Sequence, residues 1–327
     1  MPVRRGEGLP RRTGKRDTRE EQHMIDFLRR EGIEESILSE VEAFRRAYPV
    51  PEADRHRVPQ PVMRYYGAEI WRQALIALLA GENLLLVGPK ATGKNVLAEN
   101  LAAVFGRPEW NISFYLNTDA ASLIGTDTFR AGEVQFREGP VTQCARRGGF
   151  GVLDEINMAK NESLAVLHAT LDFRRIIDVP GYERILVDPA ARFIATMNYG
   201  YAGTRELNEA LASRFMVLNM PVISGENLKK LLLEQHPALR GDVAEQLASL
   251  FGEIRAKCES AEISTKALDL RGLLAAVSLT ERGLPLGKAL EMGIINKSFD
   301  DFERQLVQDM IAARIDGGLT AADIFDR

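Results

Sequence analysis

Apolar residues in the middle of the chain form short blocks, each about as long as a buried strand. The blocks are Leu84–Val87, Ile112–Leu116, Gly151–Leu153 and Phe193–Met197. Strands of a parallel sheet are buried on both faces, so their sequences are short continuous apolar runs rather than alternating apolar and polar residues. Apolar residues at helical spacing separate these blocks, as at 70–78 and 97–105. The alternation predicts an α/β fold built on a parallel sheet.

Downstream of Pro221 the strand pattern stops and only helical spacing remains. It recurs at 228–232, 243–254 and 270–277. The predicted organisation is therefore an α/β domain at 63–222 followed by a small all-helical domain at 223–327.

Upstream, residues 1–62 form a third segment. Residues 1–17 are rich in arginine, glycine and proline, which predicts a disordered basic tail. Composition favours a solvated tail over a tether for an anionic partner. Apolar residues at near-helical spacing predict helical structure over 18–47, and prolines between Pro49 and Pro61 indicate a linker.

Composition excludes several functional classes. The chain has 327 residues, 45% of them hydrophobic, and a net charge of −4, which gives no electrostatic reason to expect nucleic-acid binding. No apolar run approaches the ~18 residues of a membrane-spanning helix. The two cysteines, Cys144 and Cys258, lie far apart, so we expect reduced thiols and a cytoplasmic protein.

The loop after the first predicted strand carries the clearest chemistry. Residues 88–95 match the phosphate-binding pattern G-x-x-x-x-G-K, between a strand and a helix as that pattern requires. Glycines allow backbone N–H groups to face phosphate oxygens, and the helix N-terminus adds its dipole. Lys94 is expected to reach the β- and γ-phosphates. Asn95 stands where Ser or Thr usually binds Mg²⁺; an amide oxygen can also do so, but the hydrolysis rate is then in question.

A second apolar strand ends in two carboxylates, Asp154 and Glu155. In a phosphate-loop protein this pattern is typical of a Walker B strand. Asp154 would hold Mg²⁺ directly or through water, and Glu155 would orient and deprotonate the attacking water.

Three further patterns gain meaning as a set. The strand at 193–198 ends in Asn198, which taken alone would be read as a turn residue. The segment 207–215 ends in Arg214-Phe215, and 263–271 contains Lys266 and Arg271, with Ser264 as a candidate helix N-cap.

These motifs, in this order, resemble the MoxR branch of the AAA+ ATPases, whose relatives support gas-vesicle, nitric-oxide-reductase and Rubisco-activating systems. The resemblance spans roughly 61–315. It implies a P-loop core with a helical lid, hexameric rings, and ATP with Mg²⁺ bound between core, lid and neighbouring subunit. It also implies protein remodelling.

The resemblance assigns roles to single residues. Asn198 becomes sensor 1, Arg214 an arginine finger acting on the neighbouring subunit's ATP, and either Lys266 or Arg271 sensor 2. Glu155, Asn198 and Arg214 are the catalytic candidates, and Asn95 and Asp154 the metal ligands. The nucleotide contacts are Gly88, Pro89, Lys90, Ala91, Thr92, Gly93, Lys94, Asn95, Val96, Asp154, Lys266 and Arg271.

Two predicted hairpins support the branch. One lies around Ala131-Gly132-Glu133, and the other joins 175–179 to 184–187 through Pro180-Gly181-Tyr182. They fall where this branch inserts a hairpin into its second helix and just before the sensor 1 strand. The resemblance alone suggests a partner with a von Willebrand factor A domain.

Three other functions remain open. A nucleotide-gated scaffold with weak hydrolysis is suggested by Asn95. A P-loop metabolite kinase would need an acceptor pocket, and the helical C-terminal domain and Arg214 argue against it. A DNA-directed AAA+ motor lacks a recognisable DNA-binding module or basic charge.

Overall fold

The computed structural model describes residues 17–130, 132–199 and 205–326. Nearly all of the predicted basic tail lies outside these ranges. The strands are β1 (Leu84–Val87), β2 (Glu109–Ser113), β3 (Gly125–Arg130), β4 (Glu133–Glu138), β5 (Phe150–Asp154), β6 (Ile176–Ile177), β7 (Ile185–Leu186), β8 (Arg192–Met197) and β9 (Met216–Asn219).

The helices are α1 (Asp17–Arg30), α2 (Glu35–Ala47), α3 (Ala68–Leu79), α4 (Lys94–Val104), α5 (Ala120–Ile124), α6 (Pro140–Arg146), α7 (Asn161–Leu164), α8 (His168–Leu171), α9 (Glu209–Ala212), α10 (Gly225–Gln235), α11 (Gly241–Glu259), α12 (Leu270–Glu281), α13 (Leu286–Gly293), α14 (Asp301–Arg314) and α15 (Ala321–Ile324). Short 3₁₀ turns occur at Glu52–Arg57, Ile156–Met158, Ala165–Leu167 and Ile295–Lys297.

The central sheet is fully parallel, with strand order β2-β5-β8-β1-β9. In register, Val87 pairs with Met197 and Leu153 with Ala195. The carboxyl ends of β1, β5 and β8 therefore meet at one edge, which is where ligands bind in open α/β sheets. The predicted α/β class is confirmed, and all four predicted apolar blocks contribute to strands.

The fifth strand, β9, was not predicted. Its sequence, Met-Val-Leu-Asn, is short, and Met216 and Val217 are half exposed because β9 is an edge strand paired only with β1. An edge strand lacks the continuous burial that marks β1, where all four residues are buried.

One face of the sheet is covered by helices α1–α4. Their buried residues form a single cluster with strand residues such as Leu84, Val152 and Ile194. The helical structure predicted for 18–47 is two helices, α1 and α2, broken at Gly32, whose φ is +86°. Both pack on the α/β core. The predicted linker is also held on the α/β core, because Asp54 Oδ1 forms an ion pair with Arg147 Nη1 at 2.7 Å.

The opposite face is covered by α5–α8, which pack around Trp110, Leu153 and Phe193. Two antiparallel hairpins, β3–β4 and β6–β7, project from this side as predicted. The hairpins touch each other, since Tyr182 Oη donates to Asp127 at 2.6 Å and the Tyr182 ring lies 5.1 Å from that of Phe136.

Helices α10–α15 form a separate apolar cluster, which confirms an all-helical C-terminal region. The predicted N-cap Ser264 is wrong. Helix α12 begins at Leu270, and its cap is Asp269, whose side chain accepts from Gly272 N. Ser264 instead bonds to Glu303 of α14 through its N–H and its hydroxyl, each at 2.8 Å. None of the helices in the described ranges is long and apolar enough to cross a membrane.

Candidate active site

The loop between β1 and α4 is shaped by its small residues. A side chain at Gly88 would come within 2.8 Å of the carbonyl oxygen of Met220. Gly93 and Ala91 both have positive φ, +77° and +62°. Ala91 tolerates this conformation less well than glycine would, so the loop holds a locally strained backbone of the kind found at ligand sites. Helix α4 follows with no side-chain cap on its N-terminus.

Lys94, the first residue of α4, is buried and folded back over the loop. Its ammonium group donates to the carbonyl oxygens of Gly88 and Pro89, both at 2.8 Å. Burial lowers its pKa from 10.5 to about 8, and the nearby carboxylates of Asp154 and Glu155 oppose that shift. The structure thus places the loop lysine and both acidic residues in one electrostatic environment.

Asp154, at the end of β5, is tied to the neighbouring strand by Thr196. The Thr196 hydroxyl donates to Asp154 Oδ1 at 2.7 Å and accepts from the Glu155 backbone N–H at 3.0 Å. Thr196 is almost fully buried, at 1% exposure. Because one hydroxyl serves both residues, it fixes the position of the acidic pair relative to β8.

Glu155 has a left-handed backbone, with φ +55° and ψ +46°. This conformation costs energy for a residue with a side chain, and such strained residues cluster at functional sites. Its carboxylate is exposed and accepts a hydrogen bond from Asn198 Nδ2 at 3.1 Å. Two of the three predicted catalytic residues are therefore in direct contact.

The turn after Glu155 holds the backbone of Asn198 in place through a hydrogen bond from Asn157. Asn157 is 3% exposed, and its Nδ2 donates to the carbonyl oxygens of Asn198 at 2.8 Å and Arg205 at 3.4 Å. Among the described residues, no donor reaches its buried Oδ1. Asn157 therefore connects the turn after Glu155 to the backbone at Asn198 and at Arg205.

The predicted metal ligands do not form a closed metal site. Asn95 is exposed in the first turn of α4, and Asp154 is half-buried. Within the described ranges no group of three or more His, Cys, Asp and Glu side chains could hold a metal. One or two protein oxygens fit Mg²⁺ that arrives with a nucleotide, because such Mg²⁺ is held largely by phosphates and water.

The segment before α3 joins the phosphate loop to α10, the first helix of the C-terminal helical region. The Tyr65 ring lies 3.1 Å from the position that a Cβ of Gly93 would take, and the Tyr65 N–H donates to Asn100 of α4 at 3.0 Å. Next to it, Arg64 and Tyr66 both bond to Glu234 of α10 at 2.9 Å. Adjacent residues of this segment thus contact both α10 and the phosphate loop.

The two sensor 2 candidates lie in different settings. Arg271 is exposed in the first turn of α12, whereas Lys266 precedes that helix and lies over the Phe299 ring at 5.9 Å.

Arg214 follows the short helix α9 and packs against α8. Its Nε donates to the His168 carbonyl oxygen at 3.0 Å, another nitrogen bonds the Ala210 carbonyl, and Nη2 lies 3.4 Å from Asp172 Oδ2. All of the contacts described for Arg214 are therefore to its own α8–α9 region.

The structure brings together Lys94, Asp154, Glu155 and Asn198, while Arg214 lies in a separate cluster. Sequence reasoning missed Thr196 and Asn157. A signal for Thr196 existed, because it is a lone hydroxyl inside an apolar strand, two residues before Asn198. Asn157 carried no such signal, since its two acceptors are backbone carbonyls.

Comparison with known proteins agrees with this geometry. Residues 83–215 match the model of the AAA domain of the dynein-related subfamily. The chain is 35% identical over 242 residues to the uncharacterized protein YojN of Bacillus subtilis, covering 72% of this chain and 79% of that protein. An uncharacterized protein of Staphylococcus haemolyticus is 34% identical over 236 residues, covering 70% and 89%.

Among solved structures, a lysine-to-arginine variant of RuvB from Thermotoga maritima matches with a TM-score of 0.46 and 18% identity, covering 78% of this chain and 72% of that one. The family match spans the loop, the acidic pair, Asn198 and Arg214. The match to the AAA domain model, together with the similarity to bacterial proteins over most of their length, shows that this chain belongs to the AAA+ ATPase family.

Proposed function

We propose that this protein binds and hydrolyses Mg²⁺·ATP at the subunit interfaces of a ring, as a MoxR-like chaperone that remodels a partner protein. The contact between Glu155 and Asn198 carries the proposal. It joins a carboxylate able to activate water to an amide able to bind the γ-phosphate or that water, at the strand edge that also holds Lys94.

Residues 88–96 would hold the phosphates. Their N–H groups and the α4 N-terminus favour anions, and Lys94 would exchange its carbonyl contacts for phosphate oxygens. Asn95 and Asp154 would hold Mg²⁺, which neutralises charge on the phosphates. On the lid, Arg271 is the stronger sensor 2 candidate, because it lies at a helix start and has no aromatic partner among the described residues, whereas Lys266 does.

Arg214 would complete the site of the neighbouring subunit. A guanidinium supplied to a transferring phosphoryl group can raise the rate about 10³-fold or more. The Arg214→Ala variant is therefore expected to bind ATP nearly normally and to hydrolyse it poorly.

Mixing two inactive variants tests the ring directly. In rings that contain both Arg214→Ala and Glu155→Gln subunits, some interfaces pair an intact Glu155 with an intact neighbouring Arg214. ATPase activity should partly return on mixing. If mixed assembly is verified and no activity returns, Arg214 does not act between subunits.

The partner surface that we favour is the β3–β4 hairpin. Phe129 and Val134 pair across it, and they are 77% and 62% exposed. Exposed apolar side chains at the end of a projecting ribbon fit contact with a protein substrate. A von Willebrand factor A protein as substrate, and a hexamer as the ring, rest on the MoxR resemblance. The free thiols Cys144 and Cys258 fit a cytoplasmic setting.

One observation favours a second function. Asn95, exposed at the position that usually carries a Mg²⁺-binding hydroxyl, fits a nucleotide-gated scaffold with slow turnover. ATPase rate measured against protein concentration separates the two. A ring motor shows a rate per subunit that rises with assembly, and a scaffold assembles with ATP while turning over little of it.

A further inference from the structure

The turn after α8 places one carboxylate between two arginines. Asp172 bonds Arg174 through both of its oxygens, with a shortest distance of 2.6 Å, and lies 3.4 Å from Arg214 Nη2. Only 11% of the Asp172 side chain is exposed. The Arg174 hydrogen bond is the main reason why the pKa of Asp172 falls to about 2, so Asp172 is a carboxylate at every physiological pH.

This turn is fixed to the central sheet. The carbonyl oxygen of Leu171 accepts from Asn83 Nδ2 at 3.1 Å, and Asn83 Oδ1 accepts from the Phe193 N–H at 2.9 Å. Asn83 is 3% exposed and precedes β1. Asp172 is therefore held against the same sheet that carries the phosphate loop and Asn198.

The guanidinium of Arg214 is held in one orientation, but its hydrogen bonds do not use all of its N–H groups. The three contacts of its guanidinium, to His168, Ala210 and Asp172, use three of its five N–H groups. Its side chain keeps 21% exposure. Two N–H groups thus remain for an acceptor outside the subunit while the plane of the group stays fixed.

Arg174 keeps Asp172 in place for Arg214. Its two-point bond to the Asp172 carboxylate holds that group in one orientation, so the oxygen that faces Arg214 stays where it is.

The next residue, Phe173, is 92% exposed. A large apolar ring left in water beside an ordered charged cluster is a typical anchor for a protein contact, because aromatic and arginine side chains dominate such interfaces. Arg174, at 48% exposure, lies directly beside it. The occupant that fits is a second copy of this chain, since the proposed function has Arg214 of the same cluster act on a neighbour's nucleotide.

We propose that the Asp172-Phe173-Arg174 turn is a subunit-contact element, in which Phe173 docks on the neighbouring copy and Asp172 is a positioning residue for Arg214. The inference rests on the proposed action of Arg214 between subunits. The docking of Phe173 and the positioning of Arg214 by Asp172 are then coupled, because Asp172 and Phe173 are adjacent residues of one anchored turn.

A double-mutant cycle tests the positioning role in the full-length protein. Asp172→Asn should lower kcat about tenfold or more through the lost charge-assisted hydrogen bond, and leave the KM for ATP and the assembly unchanged. If Asp172 acts through Arg214, the Asp172→Asn/Arg214→Ala variant is no slower than Arg214→Ala alone. Multiplying losses, or a parent rate in Asp172→Asn, would overturn the positioning role.

Asp242→Asn is the matched control, because Asp242 pairs with Arg240 two residues away at 2.6 Å, as Asp172 does with Arg174. It should keep the parent kcat. If Arg214→Ala itself keeps the parent rate, the proposed function fails, and that outcome is distinct from failure of the turn.

Phe173→Ala tests docking. The protein concentration at which ATPase per subunit reaches half its maximum should rise about tenfold or more, because aromatic side chains are enriched among the interface residues whose truncation weakens association most. Phe302→Ala, which removes a ring that is 74% exposed on α14, should leave this half-maximal concentration unchanged. An unchanged concentration dependence for Phe173→Ala, measured with sedimentation of the same samples, would overturn the docking role.

Discussion

Asn198 Nδ2 donates to Glu155 Oε1 at 3.1 Å, across the carboxyl ends of the adjacent strands β8 and β5. The bond orients a carboxylate whose backbone is already constrained at φ +55°. In the proposed mechanism Glu155 is the general base, and this contact would orient its carboxylate without neutralising it.

Separate substitutions should distinguish the loss of the Glu155 carboxylate from the loss of the Asn198 amide that orients it. Glu155→Gln should bind ATP as the parent does and lose most of its hydrolysis, because the amide cannot take a proton. Asn198→Ala should retain the base and lose its orientation, which we expect to lower kcat about 10²-fold. Single-turnover hydrolysis with pre-bound ATP measures both. Parent-like turnover of Glu155→Gln would remove Glu155 from the mechanism.

Thr196→Val should affect both stability and activity, although the change conserves shape. It leaves Asp154 Oδ1 and the Glu155 N–H without their shared hydroxyl. A group left unsatisfied costs about 1–3 kcal/mol, so urea unfolding should show a loss in that range. Affinity for Mg²⁺·ATP should fall as well. Thr170→Val is a control, because Thr170 is equally buried but contacts the Ile176 carbonyl at 3.5 Å.

Lys94→Met should raise stability while abolishing ATP binding. The ammonium is buried, and its pKa of about 8 means that the folded state holds its proton less tightly than the unfolded state, where the value is 10.5. Protonation therefore costs folding energy below pH 8, and the cost fades as pH rises toward 10.5. We expect a gain of about 1–3 kcal/mol at pH 7 and a smaller gain near pH 10.

The same pKa predicts that ATP affinity of the parent weakens between about pH 7 and pH 9, because Lys94 loses its charge in that interval. Equilibrium titration of a fluorescent ATP analogue at each pH measures the trend. A constant affinity across this range in the parent, or retained affinity in Lys94→Met, would contradict the phosphate-binding role.

Asn95→Thr should maintain or increase ATPase activity, because it restores the hydroxyl that usually binds Mg²⁺ in such loops. Asn95 is exposed, so threonine meets no packing restriction. The dependence of kcat on Mg²⁺ concentration is the measurement. A large loss of activity would show that the site is built around the amide.

Local patterns were sufficient to predict the class of the fold and the ends of its central strands. β1 is apolar throughout because it is buried on both faces, and the residues that follow β1, β5 and β8 must meet because parallel strands share one carboxyl edge. The proximity of Glu155 and Asn198 follows from this shared edge, but the hydrogen bond between them was not predicted. Strand β9 was not, because an edge strand is only partly buried.

Only the tertiary structure decided which side chains share hydrogen bonds. Thr196 bridges Asp154 and Glu155, and Asp172 bonds Arg214, across separations that no local pattern records. Likewise, Ser264 has the sequence of a helix cap, yet it bonds Glu303 of a distant helix. Local periodicity reports whether a residue is buried, but a hydrogen bond depends on the distance between atoms that only packing brings together.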